Sequence, residues 1–250
     1  MAGTALPGRL TWQLSTVVST RMETARAKSL MLELPQWPGH RAGQHVDVRL
    51  TAEDGYQAER SYSIASAPED PRLAMTVERL EDGEVSPYLV DELRVGDQLE
   101  LRGPIGGYFV WEAALGGPLL LIAGGSGIVP LMAMLRHRQA IGSSIPTRLL
   151  YSARSYEELI YREELSRLHS SDPTLEIFFT LTRTQPSEWT GYRRRIDEDL
   201  LRDIAWPPGR HALSYVCGPT QLVESVAAQL VDLGHAAARV KTERFGPTGA

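Results

Sequence analysis

The chain has 250 residues, 42% hydrophobic and 23% charged, the composition of ordinary folded domains with length for two of them. A formal net charge of -5 and the absence of a basic arm argue against a nucleic-acid partner. The single cysteine, Cys217, excludes an internal disulfide and an in-chain iron–sulfur cluster, which needs about four thiolates, and the scattered histidines offer no zinc spacing, so no metal is expected.

The amino end, MAGTALPGRLTWQL, lacks the apolar core of a signal peptide, which makes the cytoplasm the expected location. Up to about Trp111 the segments TWQLSTVVSTRM, SLMLELP, QHVDVRL, RSYSIAS, LAMTVERL and DQLELRG are short, β-rich or alternating, and separated by Pro, Gly and Asp. They predict an antiparallel barrel. One helix interrupts it: Ser86 is placed to cap, Pro87 to open, and Gly96 to follow the end of Tyr88-Leu-Val-Asp-Glu-Leu93.

From Ala113 to Leu135 the chain reads AALGGPLLLIAGGSGIVPLMAML, uncharged and about long enough to cross a bilayer. Glycines and prolines in two clusters break any continuous apolar helix, so no membrane insertion is expected. The stretch splits into a strand over 119–123, a turn Gly124-Gly-Ser-Gly127, and a helix from about Ile128 to Arg138. Pro130 suits the first turn of that helix, and Arg136, His137 and Arg138 suit the negative end of its dipole. Backbone N–H groups at such a helix start cradle phosphates, although from this motif alone a tight turn without a ligand fits equally. No P-loop lysine follows Gly127. The fingerprint G-x-G-x-x-G would need glycine where Pro130 stands, and an acid near the next strand end where the chain has Arg154.

After Trp111 strands and helices alternate: LLLIA with PLMAMLRHRQA, TRLLYSA with YEELIYREELSRL, LEIFFTLT with IDEDLLRDI, LSYVCGP with TQLVESVAAQLVDLG, and a final VKTERF. This rhythm predicts a parallel sheet covered on both faces.

Six short motifs fall in order along the chain: Arg60-Ser-Tyr-Ser63, Gly83-Glu-Val-Ser86, Gly103-Pro-Ile-Gly106, Gly124-Gly-Ser-Gly-Ile-Val-Pro130, Cys217-Gly-Pro219 and Glu243-Arg-Phe245. Together they resemble the ferredoxin–NADP reductase superfamily, over nearly the whole chain from about Leu10 to Phe245. The resemblance implies an antiparallel Greek-key β-barrel flavin domain, residues 1–112, followed by a Rossmann-like parallel-sheet nicotinamide-binding domain, residues 113–250. Carried over residue by residue, it implies that Arg60 meets the flavin phosphate, Tyr62 the ring and Ser63 the N5 edge, with Ser61 and Val77 beside them. Gly83, Glu84, Val85 and Ser86 would hold the flavin pyrophosphate, a diphosphate site that favours FAD over FMN. Gly125, Ser126, Gly127 and Pro130 would hold the nicotinamide pyrophosphate, and Cys217, Gly218 and Pro219 would face the nicotinamide crevice. Phe245 would cover the flavin. It is Phe where plant-type members have Tyr, and Gly246-Pro-Thr-Gly-Ala250 follows it, so a core phenylalanine on the last strand is the alternative.

Arg154, Arg183 and Arg195, with Ser155 and Thr182, occupy the places from which similar bacterial reductases gather arginines around the NADP phosphate, which favours NADPH over NADH. Taken singly each motif has a structural explanation: an alternating strand with one salt bridge, a capped helix, a buried cysteine, solvated arginines. Taken together they imply an enzyme that moves a hydride from NADPH onto FAD, with Ser63, Cys217 and Glu243 shaping the pocket and handling protons. Electrons leaving singly would go to a separate redox protein such as a ferredoxin, with Arg21, Arg26, Lys28 or Arg244 as one place for it to dock. The chain itself is expected to be a monomer. Two alternatives are an NAD(P)H:flavin reductase that releases diffusible reduced flavin, and a non-catalytic nucleotide- or flavin-binding subunit.

Overall fold

A computed structural model describes residues 10–245, so the amino-end reading at residues 1–9 and the tail after Phe245 lie outside the described residues. Strands β1 (Gln13–Met22), β2 (Ala27–Glu33), β3 (His45–Thr51), β4 (Gln57–Ser63), β5 (Leu73–Glu78) and β6 (Gln98–Ile105) form an antiparallel sheet in the order β4-β3-β6-β1-β2-β5. A bridge between Ile64 and Met75 joins the two ends, and the Ala65 amide donates to the Ala74 carbonyl at 2.7 Å, which closes the sheet into a barrel. β3, β4 and β5 are successive neighbours and β6 returns beside β3, the Greek-key arrangement. The period-2 alternation read in the sequence fills the interior with Leu30, Leu32, Val46, Val48, Leu99 and Leu101.

The predicted helix after Ser86 is a single turn, Tyr88–Glu92, wound in the wider π form. Ser86 does not cap it. The Ser86 hydroxyl is buried and accepts from the Leu80 amide at 3.0 Å, because the tight Leu80–Gly83 turn brings that amide closer than the helix start. Lys28 secures the other end of the turn, its buried ammonium donating to the carbonyls of Val90 and Leu93 at 3.0 and 2.8 Å.

The second half runs β7 (Leu119–Gly124), α1 (Ile128–Ala140), β8 (Thr147–Ala153), α2 (Arg162–Ser171), β9 (Leu175–Leu181), α3 (Glu198–Ile204), β10 (Leu213–Pro219), α4 (Thr220–Asp232) and β11 (Val240–Phe245). Its sheet is wholly parallel in the order β11-β10-β7-β8-β9, so the winding reverses between β7 and β10. The uncharged stretch has its explanation here. Every residue of α1 from Ile128 to Leu135 is buried, since this helix packs in one core with the parallel sheet and with Ala27, Ala65, Ala74, Phe109 and Trp111 from the barrel side. No helix among the described residues is long and apolar enough to cross a membrane.

α2 is shorter than its apolar pattern predicts. The pattern begins at Tyr156, yet the helix begins at Arg162, because Tyr161 takes a left-handed conformation (φ 60°) while its hydroxyl bonds Thr76 of β5. A bulky residue there is strained, and burial of Leu159, Ile160 and Tyr161 in the shared core holds it.

The three basic residues at the end of α1 do more than face a dipole. Arg138 pairs with Asp172 in the interior, and His137 meets Glu69 of the barrel side at 2.8 Å. Arg136 donates to the Ala65 carbonyl at 2.6 Å while Glu164 accepts from it twice, at 2.8 and 2.6 Å. Arg136→Met is expected to cost about 3 kcal/mol, since it strips a mostly buried carboxylate and carbonyl of their donor. The check is urea denaturation followed by circular dichroism, and a midpoint equal to that of the native chain would show that this cross-link does not stabilise the fold.

Candidate active site

Where the winding reverses, the carboxyl ends of β7 and β10 diverge, and ligands of open α/β sheets bind in that crevice. Gly124–Gly127 leaves β7 there and Cys217-Gly-Pro219 leaves β10. Sequence reading took the glycines for a phosphate cradle; their first task is packing. A Cβ on Gly127 would lie 2.1 Å from the Cys217 carbonyl oxygen, and one on Gly218 would lie 3.1 Å from the backbone of Gly124. Gly125, at φ +55°, is the residue turned outward, and Ser126 beside it is partly accessible. Pro130 falls in the first turn of α1 as expected, and no side chain caps that turn, so its amide groups remain for an anion. Pro219 opens α4 in the same uncapped way.

On the barrel side, register sets Val46 opposite Tyr62 and Val48 opposite Arg60, so both motif side chains share the face of β4 that carries the core valines. Tyr62 packs partly buried against that core, which pushes its phenol above the usual tyrosine range. Arg60 lies at the edge of this face, donating to Glu84 Oε2 at 2.5 Å, and Tyr56 donates to the other Glu84 oxygen at 2.8 Å. The alternation of β4 turns Ser61 away: its hydroxyl donates to Asp47 on the outer face at 2.7 Å, so its side chain is not with the others. The side chains of Val77 and Val85 are buried in the barrel core, which leaves their backbone to face a ligand. Gly83 packs on Ser86, where a Cβ would lie 2.8 Å from the hydroxyl.

Ser63, the last residue of β4, reaches the other half of the molecule. Its hydroxyl donates to Glu243 Oε1 at 3.3 Å, across 180 residues of sequence. Glu243 pairs in register with Cys217, which pairs in turn with Ala123, so the three sit side by side on β11, β10 and β7. Burial raises the Glu243 carboxyl to about 7, against which the Ser63 hydrogen bond works. The Cys217 thiol is fully buried, and burial followed by the Glu243 charge raises it well above the ordinary thiol range. It stays protonated at neutral pH, so it packs and shapes rather than attacks. Phe245, two residues beyond Glu243, is partly buried against the shared core.

The three implicated arginines lie together in the fold. The Arg183 amide donates to the Arg154 carbonyl at 2.9 Å, and a bridge between Thr180 and Tyr192 brings the segment carrying Arg195 alongside β9. All three are exposed and make no ion pair among the described residues, whereas their neighbour Arg194 is held by Asp197. Ser155 is partly accessible beside Arg154, and the Thr182 hydroxyl is tied to the Ala153 carbonyl at 3.3 Å. Sequence reading missed Glu78, whose carboxylate would lie 3.8 Å from a Cβ on Gly125; it comes from β5 of the barrel, and no local pattern marks it. The docking residues suggested by sequence are engaged elsewhere: Lys28 inside the barrel, Arg21 with Glu163 at 3.4 Å, Arg26 with Glu81 at 3.3 Å, and Arg244 with Glu224 at 2.5 Å. Among the described residues no three His, Cys, Asp or Glu side chains converge to hold a metal ion.

A barrel with an arginine and a half-buried tyrosine on one face, abutting a parallel sheet with an uncapped glycine turn at its crossover, defines a two-part dinucleotide-binding oxidoreductase. The residues fit both groups: Arg60 and the Gly83–Ser86 turn for a flavin dinucleotide, and the start of α1 with three unpaired arginines for a nicotinamide one. Comparison with known proteins agrees. Residues 15–110 match the oxidoreductase FAD-binding domain and residues 121–228 the oxidoreductase NAD-binding domain. The chain is 34% identical over 230 residues to ferredoxin–NADP reductase B of Sorangium cellulosum, covering 89% of each chain. It is 31% identical over 211 residues to the glycine betaine monooxygenase reductase subunit of Chromohalobacter salexigens, covering 83% of this chain and 56% of that one. The chain thus spans little more than half the length of several curated relatives. The solved FAD/NAD-binding domain of nitric oxide dioxygenase from Vibrio cholerae superposes with a TM-score of 0.85 at 25% identity, covering 94% and 99% of the two chains. A ferredoxin NADP+ reductase from Neisseria gonorrhoeae, solved with FAD and NADP, shares the fold with a TM-score of 0.81 at 20% identity, covering 93% and 98%. The chain belongs to the ferredoxin–NADP reductase family.

Proposed function

We propose that the chain takes a hydride from NADPH onto FAD and passes the electrons to a separate carrier protein such as a ferredoxin, working in the cytoplasm. In this reading residues 1–112 hold the flavin and residues 113–250 the nicotinamide nucleotide. The observation that carries it is the hydrogen bond from Ser63 to Glu243, which joins the two halves where flavin and nicotinamide would meet.

FAD supplies the chemistry, accepting two electrons as hydride and releasing them singly. The chain's own residues position and exchange protons. Arg60 would bind phosphate, Tyr62 would pack against the ring, and Gly83 to Ser86 would support the diphosphate through backbone amides. Gly125, Ser126 and the first amides of α1 take the nicotinamide pyrophosphate. Cys217 and Phe245 shape and cover the reacting site. Ser63 holds a proton at its hydroxyl, and Glu243, titrating near neutrality, relays it toward solvent.

Arg154, Arg183 and Arg195 support NADPH over NADH, because unpaired arginines suit a 2′-phosphate whereas an acid suits a bare ribose. Arg154→Gln is expected to raise the Michaelis constant for NADPH about tenfold with little change for NADH, the worth of one charge-assisted hydrogen bond. Equal effects on both nucleotides would remove Arg154 from the phosphate site. The overall test is an anaerobic visible titration of the purified chain, in which bound flavin should bleach at much lower NADPH than NADH.

The diffusible-flavin alternative has one observation behind it: Glu84 occupies the guanidinium of Arg60, which weakens its grip on a phosphate. A colourless preparation that reduces added flavin would favour it. Flavin that stays bound and that neither nucleotide bleaches would indicate a non-catalytic subunit.

A further inference from the structure

Building on that reading, we propose that Tyr161 is a positioning residue for hydride transfer: its hydroxyl pins the nicotinamide half to the barrel wall near Ser63 and so sets the spacing at which the two cofactors react. Tyr161 is 2% exposed and takes φ 60° and ψ 21° at the start of α2, a conformation that a bulky side chain holds only against strain. Its hydroxyl lies 2.5 Å from the Thr76 hydroxyl on β5. Thr76 lies 2.7 Å from the Ser29 hydroxyl on β2, and Ser29 donates to Glu23 Oε1 at 2.7 Å. Each hydroxyl has one hydrogen, so the acceptor at the end sets the direction of every bond. Ser29 gives its hydrogen to Glu23, Thr76 gives to Ser29, and Tyr161 gives to Thr76. The chain therefore runs one way, from the sheet half through the barrel wall, and ends on a carboxylate whose side chain is only 7% exposed.

This strut lands where the flavin would meet its hydride donor. The antiparallel bridge between Ile64 and Met75 puts Ser63 and Thr76 on the same side of the crossing of the β4 and β5 ends, and Thr76 is next to Val77. A second tie reaches the same crossing. Arg136 of α1 stands 4.9 Å over the Tyr161 ring and donates to the carbonyl of Ala65, two residues beyond Ser63, at 2.6 Å. Glu164, in the first turn of α2, accepts from the same guanidinium. On its other side Tyr161 ends the loop that leaves β8 through Arg154 and Ser155, and the Tyr151 hydroxyl accepts from the Ile160 amide at 3.2 Å. Apolar contacts alone let packed surfaces slide, whereas aligned hydrogen bonds fix them. In the reaction the nicotinamide C–H bond breaks and a flavin N–H bond forms, the electron pair moving with the hydrogen, so NADPH is oxidised and FAD reduced while Tyr161 keeps its proton. The reacting atoms must stand about 3 to 3.5 Å apart, and a misplacement of about 1 Å costs up to about 10²-fold.

The test uses the FAD-loaded full chain in anaerobic stopped flow with NADPH. Tyr161→Phe keeps the ring and loses the bond. Its limiting rate of flavin bleaching should fall about tenfold, while the dissociation constants for FAD and NADPH stay within about twofold of the native values. Thr76→Val should slow bleaching as much, the double variant no further, and Thr76→Ser, which keeps a hydroxyl, should restore the native rate. Ser15→Ala removes a buried hydrogen bond to the Leu99 carbonyl inside the barrel, at 3.0 Å, and should lower the urea midpoint without touching the rate. In the flavin-free chain the double variant should lose no more urea midpoint than Thr76→Val alone, since both changes remove one bond. A Tyr161→Phe limiting rate equal to the native one, a loss confined to NADPH affinity, or additive midpoints would each overturn the assignment while leaving the native chain an NADPH-reducible flavoprotein. If Tyr161→Phe does not fold, Thr76→Val and Thr76→Ser decide by the same rates. A native chain whose flavin NADPH cannot bleach overturns the reductase reading and this one with it.

Discussion

Glu243→Gln is expected to slow electron delivery to the acceptor by about 10²-fold or more, the usual worth of a positioned acid or base. The glutamine preserves shape and can still accept from Ser63, yet it cannot take up the proton. The same variant should abolish the inflection near pH 7 in the rate profile, because the carboxyl that titrates there has gone. Its effect on stability runs the opposite way. Burial lifts the carboxyl from 4.5 to about 7, so between those values the native state holds a proton that the unfolded chain has released. Stability from this group is complete below about pH 4.5 and declines as pH rises through 7, where the buried charge costs about 3 kcal/mol. Glu243→Gln should therefore be more stable than the native chain at pH 8, with the gain vanishing near pH 4.5. Urea titrations at the two pH values check the sign, and a variant destabilised at pH 8 would mean that the charge is well accommodated.

Gly127→Ala is expected to destabilise the fold by about 3 kcal/mol or more and to weaken nicotinamide binding together with it. The new Cβ would sit 2.1 Å from the Cys217 carbonyl oxygen and 2.8 Å from the Gly218 amide nitrogen, both backbone atoms that no rotamer change can move. Relief requires α1 to lift from the end of β10, which shifts the turn meant for the pyrophosphate. Gly125→Ala, where the nearest atom is the flexible Glu78 carboxylate at 3.8 Å, should pay only the backbone cost of its positive φ, about 1 kcal/mol. Thermal melts with and without NADP+ compare the two, and equal losses would show that the close approach to Cys217 is not the constraint.

Much of the fold was legible because it follows from local periodicity. The alternating segments up to Trp111 became the barrel strands, and the strand–helix rhythm after it became the parallel sheet within a residue or two at most ends. Gly124 to Pro130 could be placed as a strand–turn–helix from composition alone, since proline and glycine restrict backbone geometry wherever they stand. Arg60, Tyr62 and Ser63 could be proposed as a set only because, with the other motifs, they resemble the ferredoxin–NADP reductase superfamily.

What the sequence could not supply were relations between distant residues. Tyr161 shortens α2 against its own apolar pattern, because a hydrogen bond to Thr76 and burial outweigh local preference. Ser86 reads as a helix cap and serves the Leu80 amide instead, since only the folded turn decides which donor is nearer. Lys28 reads as a surface cation and is spent inside the barrel. By itself the sequence determined two domains, their order and the residue types of the motifs, all set by short-range periodicity and backbone restriction. Tertiary structure alone decided that Ser63 meets Glu243 and that burial brings this carboxyl to neutrality. Those facts depend on packing between segments up to 180 residues apart, where local propensity carries no information.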